Sequence, residues 1–137
     1  MRVLVDTPIW SAAFRRSDDA GSGYRKEMER LVAHGSVEII GPIRQELLSG
    51  IRDHSKYETI RDRLRRFPDL EITTEDYEEA AVFYSRCRSN GIQGSSTDFL
   101  ICALAARHDL LVFTDDRDFS AYQRVIPVRL YPFGQEV

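Results

Sequence analysis

Acidic side chains fall at telling places in this sequence. Asp6 ends the apolar run Val3-Leu4-Val5, and Asp115 and Asp116 follow directly on LLVFT (110–114). Glu46 lies a few residues beyond VEII (37–40), and Asp98 opens the stretch SSTDFLICALAARHD. A lone carboxylate at the end of a buried strand is costly, because an unpaired charge is expensive away from water. Several carboxylates together repel one another, so either their pKa values rise or a cation joins them. An all-oxygen ligand set without His or Cys suits Mg²⁺ or Mn²⁺, which keep several waters and bind substrate phosphates. A metal so held polarises a phosphodiester and lowers the pKa of a bound water. Hydrolytic phosphodiester cleavage is the natural chemistry of such a cluster.

The elements around these acids alternate. Residues 2–6 read as a short, fully apolar strand, as expected when both faces are covered. Pro8 permits a helical first turn carrying Ile9, Trp10, Ala13 and Phe14, and RRSDDAGSG (15–23) reads as a loop. Tyr24 to Ala33 reads as a helix with Tyr24, Met28, Leu31 and Val32 on one side, ended by Gly35. VEII is a second strand, and Pro42 then sits at the N1 position of a helix running to Gly50. Residues 56–67 carry an amphipathic stripe, Leu70 to Ile72 a short strand, and 73–91 a helix with a Thr N-cap. A helix over 97–108, a strong strand over 110–114 and a last strand around Val128 to Leu130 complete the pattern. Such alternation predicts an α/β fold: a mostly parallel sheet with helices on both faces.

In an open parallel sheet, ligands bind at the carboxyl ends of the strands. Asp6, Asp115 and Asp116 occupy that edge directly, and Glu46 lies just beyond it on a helix. Glu46 follows Ile43 by three and adjoins Leu47, so it borders the buried face, with Arg44 and Gln45 more to the outside. Asp98 begins a helix that is apolar nearly all round, and such a helix is buried. With Ser96 or Thr97 as its cap, Asp98 falls in the first turn and is drawn inward, where it needs a partner. No Lys or Arg lies nearby in the sequence to supply one.

Composition sets the outer bounds. At 137 residues the chain fits one domain, 1–137. No apolar run approaches a membrane span, and Asp6 interrupts the N-terminal apolar stretch too early for a signal peptide. Cys87 and Cys102 have no ligand-like spacing, so they read as free core thiols in a reducing, cytoplasmic setting. The net charge of −3 argues against a polycation that wraps duplex DNA. Of the 19 basic residues only Lys26 and Lys56 are Lys, so the rest are Arg, whose planar fork suits phosphate. Arg15, Arg16, Arg44 and Arg117 lie nearest the acids in sequence. A haloacid-dehalogenase phosphatase would need an Asp where Pro8 stands, and a phospho-receiver would need a late Lys, yet none follows Lys56. No G-x-G-x-x-G supports a dinucleotide enzyme.

Taken in order, VLVDTPIW, PIRQELLSG, STDFLICALA and TDDRDF resemble the PIN-domain proteins, specifically toxin ribonucleases of the VapC type. The resemblance covers nearly the whole chain. It implies a three-layer α/β/α sandwich, with Asp6, Glu46, Asp98 and Asp116 as the catalytic, metal-holding acids. By the same likeness Asp118 is a further acid of the loop, Thr114 a hydroxyl near the metal and Thr7 the small polar residue after the first acid. The implied activity is Mg²⁺-dependent endoribonuclease action (Mn²⁺ as an alternative) on cellular RNA, by a homodimer held inactive by a small cognate antitoxin. The alternative is a non-catalytic PIN-like scaffold that binds RNA or protein.

Overall fold

The computed structural model describes residues 1–15 and 23–134. Strands β1 (Val3–Val5), β2 (Val37–Glu38) and β3 (Leu111–Phe113) form a parallel sheet in the order β2-β1-β3. Val3 pairs with Val37 on one side and Leu111 on the other, and Val5 lies beside Phe113. All three residues of β1 are buried, as a central strand covered on both faces requires.

Seven helices surround the sheet among the described residues: α1 (Thr7–Ala13), α2 (Tyr24–Ala33), α3 (Gly41–Ser49), α4 (His54–Leu64), α5 (Thr74–Ser89), α6 (Ser96–His108) and α7 (Asp118–Tyr122). α1 packs on α2 and α3, and α3 on α4; α5 lies along α6, which packs on β3. The result is the predicted α/β/α sandwich. Its core joins Leu4, Ile39 and Val112 from the sheet region to Ile43, Leu64, Ile101 and Phe119 from the helices. Seven consecutive residues of α6, Phe99 to Ala105, are buried, so it is enclosed on all sides as its composition predicts. Among the described residues no helix is long and apolar enough to cross a membrane.

Two predicted strands shrink to single contacts. Instead of a strand over 70–72 there is one parallel bridge between Ile39 and Asp69, and instead of one over 128–130 a bridge between Val112 and Leu130. Pro68 stands just before the first, and Pro127 and Pro132 flank the second. Proline supplies no ladder donor and sets its own φ, which stops pairing from spreading. Helix starts also move slightly. Pro42 falls at N2 because α3 starts at Gly41, and Ser95 rather than Ser96 or Thr97 caps α6, accepting the Asp98 N–H at 3.1 Å. Val32, expected on the inner side of α2, is 42% exposed. Gly35 follows α2 with φ +67°, the left-handed turn expected there.

One polar network fastens α5 to α6 far from the strand ends. The Thr73 hydroxyl accepts the Asp76 N–H at 3.3 Å, and Asp76 Oδ2 accepts the Thr73 N–H at 2.9 Å, closing a capping box. Asp76 Oδ1 accepts Arg107 Nε at 2.8 Å and lies 3.0 Å from His108 Nε2. Burial of Asp76 works to raise its pKa, but these donors outweigh it and hold the carboxyl below its ordinary range. The two cysteines, Cys87 and Cys102, are free and buried.

Candidate active site

Asp6 is held where β1 ends and α1 begins. Its N–H donates to the Phe113 carbonyl at 2.9 Å, the last rung between β1 and β3. Its own carbonyl accepts the Ile9 and Trp10 N–H groups, so the residue is the N-cap of α1, with Pro8 in the first turn. The Trp10 indole closes the corner by donating to the Val5 carbonyl at 3.1 Å. The Asp6 side chain takes two donors: the Thr7 N–H on Oδ1 and the Thr114 hydroxyl on Oδ2, both at 2.9 Å. Only 8% of the residue is exposed. Burial raises its pKa to about 6; the two donors oppose the shift, while the charges of Asp98 and Glu46 add to it.

Asp98 sits at the third position of α6, half-buried beside the end of the sheet. Its partner is not a base but the Tyr122 hydroxyl, which donates to Oδ2 at 2.7 Å. Burial again raises its pKa, against the Tyr122 and Ser95 hydrogen bonds, and the charges of Asp116 and Asp118 push it further.

The loop after β3 is a compact polar turn. The Asp116 N–H donates to Thr114 Oγ1 at 3.0 Å, and the Asp118 N–H donates to Asp116 Oδ1 at 2.9 Å. Asp116 and Asp118 act electrostatically on Asp98, whereas Asp115 acts on Tyr24. Of the adjacent pair, Asp116 is the one whose charge acts on Asp98.

Glu46 is exposed on α3, more so than its place beside Leu47 suggests, yet its charge reaches Asp6. It shares a cavity of about 280 Å³ with Thr7, Ser11, Arg15 and Lys56. The Thr7 hydroxyl oxygen is buried without a hydrogen-bond partner. Of the Arg residues read as phosphate contacts, Arg15 lines this cavity and Arg117 is exposed at the start of α7. Arg16 lies outside the described residues. Arg44 must be reassigned. It pairs with Asp69 at 2.9 Å and donates to the carbonyls of Leu64, at 3.0 Å, and Phe67. It thereby binds backbone carbonyls at and just beyond the end of α4, and it is not spare for a phosphate.

The four acids come from four elements: Asp6 feels the charges of Asp98 and Glu46, and Asp98 those of Asp116 and Asp118. None of them pairs with a basic side chain among the described residues. Among those residues no three His, Cys, Asp or Glu side chains are gathered closely enough to hold a metal ion in this arrangement. What fits is the chemistry of the donors: hard, anionic oxygens suit a small divalent cation that keeps several of its waters. Tyr122 and Ser95 are the site residues that sequence reasoning missed. A signal for Tyr122 exists in DFSAY, where Phe119 and Tyr122 share one buried face of α7, and a buried phenol needs a partner.

The PIN domain family profile matches residues 3–125, a span that contains all four acids. A Mycobacterium bovis protein named VapC ribonuclease Mb1587 is 31% identical over 135 residues, 96% of this chain and 98% of its own. Among solved structures, FitAcB from Neisseria gonorrhoeae superposes with a TM-score of 0.77 at 21% identity, covering 97% of this chain and 99% of that one. VapBC2 from Rickettsia felis, solved bound to a DNA fragment from its promoter, gives 0.77 at 16% identity, with 96% and 98% covered. The order of acids, the sheet that gathers them and these matches agree: the chain belongs to the PIN-domain family, in the company of the VapC ribonucleases.

Proposed function

We propose that this chain is a divalent-metal-dependent endoribonuclease, the toxin of a toxin-antitoxin pair, that hydrolyses phosphodiester bonds in cellular RNA in the cytoplasm. Asp6, Glu46, Asp98 and Asp116 would hold Mg²⁺, or Mn²⁺ in its place. The observation that carries this reading is Asp6: a buried carboxylate with a pKa raised to about 6, beside two more acids and with no basic partner among the described residues. Natural proteins do not keep such an arrangement for stability. When bound, the cation supplies charge neutralisation and a more acidic water. The chain's own part is orientation. The Thr7 N–H and the Thr114 hydroxyl fix the two oxygens of Asp6, and the open cavity beside Glu46 leaves room for a strand of RNA with Lys56 at its edge.

The partner reading has its own support in the relatives, one of which was solved as a VapBC complex. A groove of about 610 Å³ runs between α1, α2 and the end of α4. Trp10, Phe14, Met28 and Phe67 line it, with Arg63 and Arg66 at the rim. That combination suits an amphipathic antitoxin segment bearing acids. On the opposite side, Tyr77 and Tyr84 expose ring surface on α5, a face for a second copy in a homodimer.

The test is cleavage of total cellular RNA with Mg²⁺, with a chelator, and by the Asp6→Asn and Asp98→Asn variants. Cleavage should require metal and fall at least about 100-fold in both variants, the scale of losing several kcal/mol of charge stabilisation. RNA binding without cleavage would return the scaffold reading. Wild-type rates in both variants would move the site elsewhere.

A further inference from the structure

We propose that Tyr122 is a positioning residue for Asp98, and that Gly94 is small so that Tyr122 can reach it. The proposal rests on the reading of Asp98 as a metal-facing acid. Ser95-Ser96-Thr97-Asp98 has the spacing of a capping box, like Thr73 to Asp76 at the start of α5. In α5 the acid turns back and accepts the N-cap N–H. In α6 only half of the box forms: Ser95 accepts the Asp98 N–H, but the Asp98 carboxylate makes no return bond to the backbone. Its Oδ2 is bound by Tyr122 instead, at 2.7 Å. The hydroxyl thus takes the place of the backbone donor that a complete box would supply, and it fixes Asp98 Oδ2 from α7 while the carboxylate stays within electrostatic reach of Asp6 and Asp116.

The phenol is well held for this task. Tyr122 is fully buried, with Phe99 at 4.9 Å and Phe119 at 5.1 Å between ring centroids. Gly94 lies directly against it. A methyl group there would overlap the Tyr122 hydroxyl, come to 2.8 Å from ring atom Cζ and to 2.9 Å from Phe99 Cε2. Gly94 has no positive φ to explain its identity, so the close approach of the ring explains it.

The experiment compares Tyr122→Phe, Asp98→Asn and the double variant by Mn²⁺-dependent thermal shift and by RNA cleavage kinetics. Tyr122→Phe keeps the ring packing and should fold. Its apparent Mn²⁺ affinity should fall about tenfold or more, as for loss of a residue that orients a ligand. kcat should fall with it while KM for an RNA oligonucleotide holds. Gly94→Ala should reproduce the loss by displacing the ring. Adding Tyr122→Phe to Asp98→Asn should weaken Mn²⁺ binding no further, because the hydroxyl acts only through that carboxylate. A folded Tyr122→Phe with wild-type Mn²⁺ affinity, or a further loss in the double variant, overturns the positioning role alone. Wild-type Mn²⁺ affinity in Asp98→Asn overturns the metal reading, and this proposal with it.

Discussion

Thr114 Oγ1 donates to Asp6 Oδ2 at 2.9 Å while accepting the Asp116 N–H at 3.0 Å, tying together residues 108 positions apart. One hydroxyl therefore orients the acid at the end of β1 and shapes the loop that presents Asp116. Thr114→Val keeps the shape of the side chain but deletes both bonds. Cleavage by that variant should drop about 10–100-fold, the range for losing a group that orients a metal ligand. Thr114→Ser should restore most of the rate. A Thr114→Val enzyme of undiminished rate would show the hydroxyl to be dispensable.

Asp6 sets a pH dependence of stability. Its carboxyl has a pKa of about 6 in the folded chain against an ordinary 3.8, so the folded state binds that proton more tightly. The stability it contributes is complete below an unfolded pKa near 4 and is lost as pH rises through about 6. Asp6→Asn has no proton to lose. Without metal, the variant should therefore gain on the wild type by on the order of 2 kcal/mol between about pH 4 and about pH 7. Denaturant unfolding across that range measures the difference, and parallel curves would refute it. With millimolar Mg²⁺ or Mn²⁺ the wild type should recover stability at the upper end of the range by mass action, and the variant should not.

The Asp76 network should matter to the fold and not to the chemistry. Asp76→Ala leaves the Thr73 N–H and two basic groups without their acceptor. The expected loss is about 3 kcal/mol, toward the low end for breaking a buried pair, because Arg107 and His108 keep access to water. The held-down pKa of Asp76 gives the opposite sign to Asp6: its stabilisation is present above its unfolded pKa and is lost as pH falls through the folded value. Chemical denaturation gives the loss, and cleavage well below the melting temperature should match wild type.

Arg44 makes the same kind of prediction. Arg44→Met retains the stem but removes the bonds to Asp69, Leu64 and Phe67. It should cost about 2 kcal/mol, in the range for hydrogen bonds to a charged group. RNA affinity at fixed salt should stay unchanged. A weakened RNA complex with unaltered stability would instead put Arg44 back at the phosphate.

What the chain reveals of itself before folding follows a physical divide. Asp6 stood out because it terminates an apolar run that a parallel sheet delivers to one edge, whereas Asp116 was preferred to its neighbour Asp115 only through the PIN-domain resemblance. Asp98 was legible because α6 has no polar face to offer it. Tyr122 was not, since it meets Asp98 only after α7 folds back across the start of α6. Arg44 misled for the same reason: its neighbours in sequence suggest solvent, but the carbonyls it serves lie 20 and 23 residues further on. The strands over 70–72 and 128–130 dwindled because nearby prolines limit pairing that alternation alone cannot foresee.

The parallel order β2-β1-β3 also imposes a schedule. The first strand made is the middle of the sheet, and one of its flanks is supplied only by residues 111–113. A polypeptide elongated through residue 110 already carries Asp6, Glu46 and Asp98, yet lacks Thr114, Asp116 and Tyr122. A chain stopped there should cleave no RNA, because the hydroxyls that orient Asp6 and Asp98 are still to come. Competence thus waits on the flanking strand and the loop behind it, not on the acids made earlier.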